Sequence, residues 1–421
     1  MKRKLFLKNA AVISAFSILK PSTIFAFKAN SAIRIGIIGC GGRGTSVLSA
    51  MSENANINII AIADLFDDQI QQALPKFNGL NAKKGLPQVP KSNLYKGSKA
   101  YLQLLDNKNV DAVLISSPSY THPQFFEAAV AAGKHVYCEK PAAIDVEGCN
   151  NVKRIGATIS GKFSSVFGFE IRHATPYIEM VERIHRGDIG EVVNAQLFYL
   201  GSQLPVRNFK NMATDEATVR NHYQFEKLCG GILTEQAIHI LDVCNWALKS
   251  HPESVMGTGG SKGVPLYGDT FRDYQLIYKY PQNINVSLHA TQLGPYWGDV
   301  CAKFIGTKGT AEAHYSGGVF INGEKPWDSG IAKNTDTVTA EQKATGVFTS
   351  SLHDADTNKG KAFINSIETG KYLNEAQSCA ESTISAIMGR RAVKAGKLVT
   401  WNDVADSNEK MEHGIKLSQF D

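Results

Sequence analysis

The apolar run Ile33 to Ile38 leads directly into Gly39, Gly41 and Gly44, and the residues that follow read as a helix from Thr45 to Ser52. A second apolar run, Ile57 to Ala63, ends in Asp64, twenty residues beyond Gly44. Glycines at this spacing arise by chance in many chains. A strand before them, a helix after them and an acid at this distance make the arrangement that binds a dinucleotide. The glycines permit a tight turn and close backbone approach, and the helix start offers free N–H groups to a pyrophosphate. Gly39, Cys40, Gly41, Gly42, Arg43 and Gly44 are therefore the expected phosphate loop. Asp64 is the expected acceptor of the adenosine ribose hydroxyls. Its charge repels a 2′-phosphate, and Leu65-Phe66-Asp67-Asp68 brings no arginine beside it, so NAD is expected over NADP. Arg43 is within reach of a phosphate and leaves NADP open.

Beyond Asp64 the pattern continues to alternate. Strands are expected at Leu94 to Lys96, Val110 to Ser116, His135 to Cys138 and Phe163 to Phe169, with helices at Lys99 to Leu105, Pro123 to Ala132 and Asp145 to Thr158. Such alternation predicts a doubly wound parallel sheet of Rossmann type, ending near residue 170. The second part differs. A helix at Pro176 to His185 and a long strand at Val192 to Leu200 precede a polar stretch from Gln203 to Cys229. Strand-like runs then recur at Ser254 to Gly257, Tyr274 to Tyr280, Asn285 to Thr291, Ala302 to Ile305 and Thr310 to His314. These predict an α/β domain built on an open-faced, mostly antiparallel sheet. Residues 323–355 read as a loop or lid, and helices at Lys359 to Thr369 and Asn374 to Ala395 close the fold. The expected division is a leader at 1–30, a dinucleotide domain at 31–170, and a substrate and oligomerisation domain at 171–421.

A length of 421 residues accommodates both domains. Lys2, Arg3, Lys4, Lys8 and Lys20 carry five of the six excess positive charges, so the rest is near neutral and a nucleic-acid partner is not expected. These basic residues flank an apolar stretch, Ala10 to Leu19, with Ala26 or Ala29 as cleavage points, which reads as an export signal. The stretch is too short to span a bilayer. Arg3-Lys4-Leu5-Phe6-Leu7-Lys8 resembles the twin-arginine consensus with one lysine substituted, so a periplasmic destination is expected, by that route or by the general one, with an uncleaved membrane anchor as the alternative. The seven cysteines show no ligand-like spacing, and neither a metal site nor a disulfide framework is expected.

Glu139-Lys140-Pro141 follows the strand His135 to Cys138, which places an ammonium where parallel strands meet a bound dinucleotide. Much later, Glu235 and His239 lie four apart on an expected helix. Oxidising an alcohol needs a base for the hydroxyl proton, and a histidine titrates in the useful range. A nearby ammonium stabilises developing oxyanion charge. On that helix the Glu235 carboxylate is expected to neighbour the imidazole and to raise its pKa.

Gly39, Gly41 and Gly44, the segment Asp111 to His122, Ala132 to Val136, Glu139-Lys140-Pro141 and Gly231 to Asp242 together resemble the Gfo/Idh/MocA oxidoreductases, in order and spacing. The resemblance runs from Ile33 to Asp403, where Val399 to Asp403 looks like the closing signature of an exported branch that acts on glycosides. It implies Lys140 as the catalytic lysine, His239 as the proton-transfer histidine and Glu235 in place of the family's usual aspartate. It further implies cofactor contacts from Ser117, Pro118, His122, Glu139, Lys140 and Arg172. Ser119 departs from the family's common asparagine. Arg220, His222, Tyr223 and Asp242 are the expected substrate contacts, with Arg207 and Asn208 in the same polar stretch. The implied reaction moves hydride between a ring secondary hydroxyl of a pyranoside and NAD, in a homodimer or homotetramer. A glycosidase using transient oxidation, a glucose-fructose-type enzyme with tightly held NADP and a non-catalytic sugar sensor are the alternatives.

Overall fold

The computed structural model describes residues 31–421 except 160, 205, 208–211, 213, 263–266, 293–298 and 332–349. The export leader and Asn208 lie outside the described residues. Six strands form the first sheet: β1 (Ile33–Ile38), β2 (Ile57–Asp64), β3 (Leu94–Lys96), β4 (Ala112–Ile115), β5 (His135–Cys138) and β6 (Ser165–Phe167). They pair in parallel in the order β3-β2-β1-β4-β5-β6. Ile35, Ile37, Val113, Leu114, Val136 and Tyr137 are fully buried, because helices cover both faces of the sheet. The strand order reverses between β1 and β4, which opens a crevice at their carboxyl ends.

The second sheet has nine strands: β7 (Val192–Leu200), β8 (Ser254–Gly260), β9 (Asp273–Lys279), β10 (Asn285–Thr291), β11 (Asp299–Gly306), β12 (Gly309–His314), β13 (Val319–Gly323), β14 (Trp327–Asp328) and β15 (Val399–Thr400). Their order is β14-β13-β12-β11-β7-β10-β9-β8-β15. Among the described residues β7 and β10 pair in parallel and the other pairs are antiparallel. Along β9, Tyr274, Leu276 and Tyr278 are buried while Gln275 and Ile277 are exposed, the alternation of a sheet covered on one face. On this sheet Asp299, Cys301 and His314 bring three ligand-type atoms within 4.8 Å, and Asp299 and His314 form an ion pair of 3.1 Å.

Several elements were not legible. The helix Asp67–Lys83 buries Ile70, Ala73, Phe77 and Leu80, but Pro75 and Gly79 interrupt its propensity, and residues 65–93 have no assignment from the sequence. The polar stretch after Gln203 contains the helix Thr214–Arg220 and a further turn, Glu226–Cys229. β13 falls in residues left without an assignment but for Gly323, and β14 extends the sheet into the stretch 323–355 expected as a loop or lid, of which residues 332–349 lie outside the described residues.

The two closing helices join the domains. Ala355–Thr369 packs on Gly42–Asn54, and its Phe363 and Ile364 enter the core beneath Ile35 and Ile37. Ala376–Ala395 lies against Val146–Ile159. Residues 406–421 then return along the first domain. The carbonyl of Glu409 accepts from Glu147 N–H, and Ile415, Leu417 and Phe420 cluster with Leu65, Phe66, Tyr120 and Val219. No described helix is long and apolar enough to cross a membrane.

Arg390 is the buried tie among these parts. It donates to the carbonyls of Ile144 and Gly230, each at 2.9 Å, and to Glu409 at 2.8 Å. Arg390→Met keeps the apolar stem but leaves the Ile144 and Gly230 carbonyls unpaired and Glu409 with Arg391 as its remaining cation. It is expected to cost about 3–5 kcal/mol in stability by denaturant titration; a loss below about 1 kcal/mol, the scale of an exposed pair, would contradict this role.

Candidate active site

One cavity runs from Asp64 at the end of β2 to His239 in the second domain. Its first end is built by the glycines. Gly39 has φ +91°, and a Cβ there would lie 2.6 Å from the Ser116 backbone. A Cβ on Gly44 would meet the Gly39 carbonyl at 2.4 Å. A Cβ on Gly41 would meet no described atom within 4 Å, so that glycine keeps open the space a pyrophosphate would take. The helix Gly42–Asn54 starts without a side-chain cap among the described residues, leaving its first N–H groups to an anion.

Asp64 accepts from the N–H of Cys40 at 2.7 Å and of Phe66 at 3.0 Å, so its carboxylate is aimed by the loop it borders. Burial raises its pKa, with these two bonds opposing. Loop, helix start and acid thus fit the diphosphate and ribose of NAD. Arg220, expected against the substrate, instead stands at this end. Its guanidinium lies 3.8 Å from the Phe66 ring centroid and pairs with Asp68 at 2.8 Å and Glu216 at 2.9 Å. Sequence order alone could not bring this arginine beside Asp64.

At the other end Lys140 Nζ donates to the carbonyl of Glu235 and lies 3.5 Å from its carboxylate. Ser119 Oγ donates to the same carboxylate, so the position where the family commonly has asparagine here anchors the acid. Residues 233–237 form a π-helical turn before the α-helix Ile238–Leu248. A π-turn at a cavity wall is a recurrent functional device, and here Glu235, Gln236 and His239 all line the cavity.

The expected link between Glu235 and His239 is corrected by the structure. Glu235 is taken by Ser119 and Lys140, and the carboxylate beside the imidazole is Glu170, whose Oε1 lies 3.4 Å from His239 Nδ1. The expected upward shift is also reversed. Burial, then Lys140 and Arg43, hold the His239 pKa well below the ordinary imidazole value. Glu170 does not offset this because burial pushes its own pKa up to about 8, with Arg43 opposing and Asp356 and Glu139 adding to the rise.

Arg43 gathers these acids. It pairs with Glu139 at 3.0 Å, Asp356 at 2.6 Å and Glu170 at 3.8 Å. His222 and Tyr223 line the cavity beyond, and burial lowers the His222 pKa to about 4. Tyr199, Tyr315 and Arg207 line it too. Ser117 and Pro118 border the cavity, with Ser117 Oγ 2.6 Å from Thr121 Oγ1. His122 is a brace: Nδ1 lies 2.7 Å from the Pro141 carbonyl and Nε2 2.9 Å from that of Ser117, fixing the Lys140 loop to the β4 loop.

Arg172 and Asp242, expected at the cofactor and the substrate, are not part of the lining. They pair with each other through two bonds of 2.7 and 2.8 Å, and Asp242 also accepts from Ser382. Glu170 was the residue missed. It stands two positions before Arg172 at the end of β6, and its signal was an acid at the carboxyl end of a parallel strand.

Comparison with known proteins agrees with this architecture. Residues 33–165 match the model of the oxidoreductase family with an NAD-binding Rossmann fold, and residues 177–312 match the Gfo/Idh/MocA C-terminal domain. Inositol 2-dehydrogenase of Salmonella typhimurium is 24% identical over 282 residues, covering 66% of this chain and 73% of that protein. A glycosyl hydrolase family 109 protein of Solibacter usitatus is 32% identical over 124 residues, 30% of this chain and 27% of that one. The structure of scyllo-inositol dehydrogenase from Lactobacillus casei with bound NAD(H) and scyllo-inositol superposes with a TM-score of 0.66 at 20% identity, covering 88% of this chain and 99% of that chain. With both domain models matched in order around this cavity, the chain belongs to the Gfo/Idh/MocA oxidoreductase family.

Proposed function

We propose that this protein is an NAD-dependent dehydrogenase of a polyhydroxylated ring, oxidising a secondary hydroxyl of a pyranoside or a similar sugar. The observation that carries this reading is the meeting of Lys140, Glu235 and His239 at the end of the cavity opposite Asp64. Bound NAD, held by the glycine loop and Asp64, supplies the hydride acceptor. The chain's own groups handle the proton and the charge. His239 Nδ1 is turned to Glu170, which leaves Nε2 to take the hydroxyl proton as hydride leaves carbon. Because burial and two neighbouring cations keep the imidazole uncharged, it can act as a base whenever its one proton lies on Nδ1. Lys140 supplies positive charge for the developing oxyanion, and Glu235 with Ser119 holds that ammonium in place. Gln236, Tyr223 and His222 add polar and aromatic faces suited to a ring bearing several hydroxyls.

The test is a panel of pyranosides, 4-nitrophenyl glycosides and cyclitols with NAD, followed by NADH absorbance. NADH formation from a pyranoside is expected. NADH from cyclitols alone would move the substrate to the class named for the Salmonella relative. Release of nitrophenol without net NADH would instead favour the glycosidase reading that the Solibacter likeness raises. Failure of every compound to produce either signal would count against the proposal.

Lys140→Ala is expected to lower kcat by roughly 10²–10³-fold, as loss of one oxyanion-stabilising group does. NAD affinity, measured by fluorescence titration, should stay within a few fold, because the ammonium is bonded to Glu235 across the cavity end. Wild-type turnover in that variant would remove Lys140 from the chemistry.

Asp64→Ser is expected to weaken NAD binding about 10- to 100-fold, the range for losing a charged hydrogen-bond acceptor. NADP binding should weaken less, since the repulsion of a 2′-phosphate goes as well. A wild type that prefers NADP would contradict the role given to Asp64, and would turn attention to Arg220.

A further inference from the structure

We propose that Glu170 is the positioning residue for His239: its carboxylate selects the imidazole tautomer, and thereby decides whether Nε2 can accept a proton. This rests on the dehydrogenase reading only for its consequence in turnover. The geometric case is independent of it. Glu170 is 2% exposed, lines the cavity and places Oε1 3.4 Å from His239 Nδ1. Nδ1 is itself buried with no hydrogen-bond partner among the described residues, and Glu170 Oε2 makes no hydrogen bond either, facing the Arg43 guanidinium at 3.8 Å. A buried nitrogen left without a hydrogen bond, with a carboxylate oxygen 3.4 Å away, is costly unless the two engage each other in the working state. Glu235 cannot take this role, because Ser119 and Lys140 occupy its carboxylate.

The two ionisation states of Glu170 have opposite effects. As a carboxylate it accepts the Nδ1 proton, leaving the Nε2 lone pair free to receive the substrate hydroxyl proton. The imidazolium formed then keeps its Nδ1 proton on Glu170, and no further proton is required. As a carboxylic acid Glu170 donates to Nδ1, and the neutral ring then carries its proton on Nε2, where it can donate but not accept. Oxidation therefore rises as Glu170 loses its proton, and carbonyl reduction is favoured below that point.

The charged and titratable groups facing Glu170 set where this occurs. They are Arg43 from the helix Gly42–Asn54, Glu139 after β5, Asp356 from Ala355–Thr369 and His239 from Ile238–Leu248. Tyr137 of β5, Tyr199 of β7 and Tyr315 lie near the carboxylate as well. One cation among three acids leaves Glu170 short of compensation, so its proton is held to about pH 8. The sign follows directly: a raised carboxyl pKa puts the rise of oxidation on the alkaline side of neutrality.

The direct measurement is ¹⁵N NMR of histidine-labelled, NAD-saturated protein, with the His239 signal assigned by its loss in His239→Gln. The wild type is expected to pass from the Nε2–H to the Nδ1–H tautomer as pH rises through the region near 8. Glu170→Gln cannot ionise and should abolish that step, while Glu170→Asp should restore it, displaced in pH. The kcat profile for oxidation should follow, with the alkaline rise lost in Glu170→Gln and NAD affinity unchanged within a few fold. An unchanged tautomer step in Glu170→Gln, or a wild type without one, would overturn the proposal. If the step behaves as expected but no ring substrate yields NADH, the tautomer assignment stands and the dehydrogenase reading fails.

Discussion

The site depends on one partly buried cation. Arg43 belongs to the phosphate loop by sequence, yet its guanidinium reaches Glu139 after β5, Glu170 after β6 and Asp356 on a helix more than 300 residues away. Stripping water from an ion costs several kcal/mol, so such a group persists only when opposite charges surround it. Here the balance is uneven, with three acids to one arginine. Coulombic attraction to Arg43 lowers the carboxyl pKa values, but burial outweighs it for both Glu139 and Glu170. The cation thus locks the loop in place, and the surplus of acid leaves a titratable carboxyl beside the imidazole.

The same contact explains why neither domain forms the site alone. Lys140 comes from the first sheet, while Glu235 and His239 come from the helix over the second. Their meeting requires the carboxyl ends of β4 to β6 to face that helix. Arg390 and the helix Ala355–Thr369 impose this placement, the first through carbonyls of both domains and the second by burying Phe363 and Ile364 beneath β1. The segment 406–421 completes the enclosure by setting Leu417 at the cavity edge beside Phe66.

Much of this was legible because it rests on local rules. Ile33 to Ile38, the glycines and Asp64 declare a nucleotide-binding unit through backbone geometry that few other residues satisfy. β3, β5, β7 and β10 have the bounds that apolar runs and turn residues indicate. What escaped depends on distant partners. Arg172 and Asp242 look like site residues in the sequence, but each is the other's counter-charge. Arg220 lies in a polar stretch suited to a sugar, yet Asp68 and Phe66 draw it to the adenosine end. No periodicity encodes such pairings, since they follow from how two domains are set against each other.

The roles of the two carboxylates show how a small change of helical phase alters chemistry. Spacing four residues apart assigns Glu235 to His239 on an α-helix. The π-turn at 233–237 widens the helix at that point, and the Glu235 side chain meets Ser119 and Lys140 from the first domain instead. An anion beside Lys140 offsets charge that would otherwise depress the imidazole further, so Glu235 acts on His239 at most through the lysine. That leaves the imidazole's second nitrogen to a residue on another chain segment, and Glu170 is the carboxylate within reach. Fixing the ammonium and fixing the imidazole are therefore separate tasks here, given to two acids whose environments differ: Glu235 is held by an ammonium and a hydroxyl, whereas Glu170 faces two further acids across a single guanidinium.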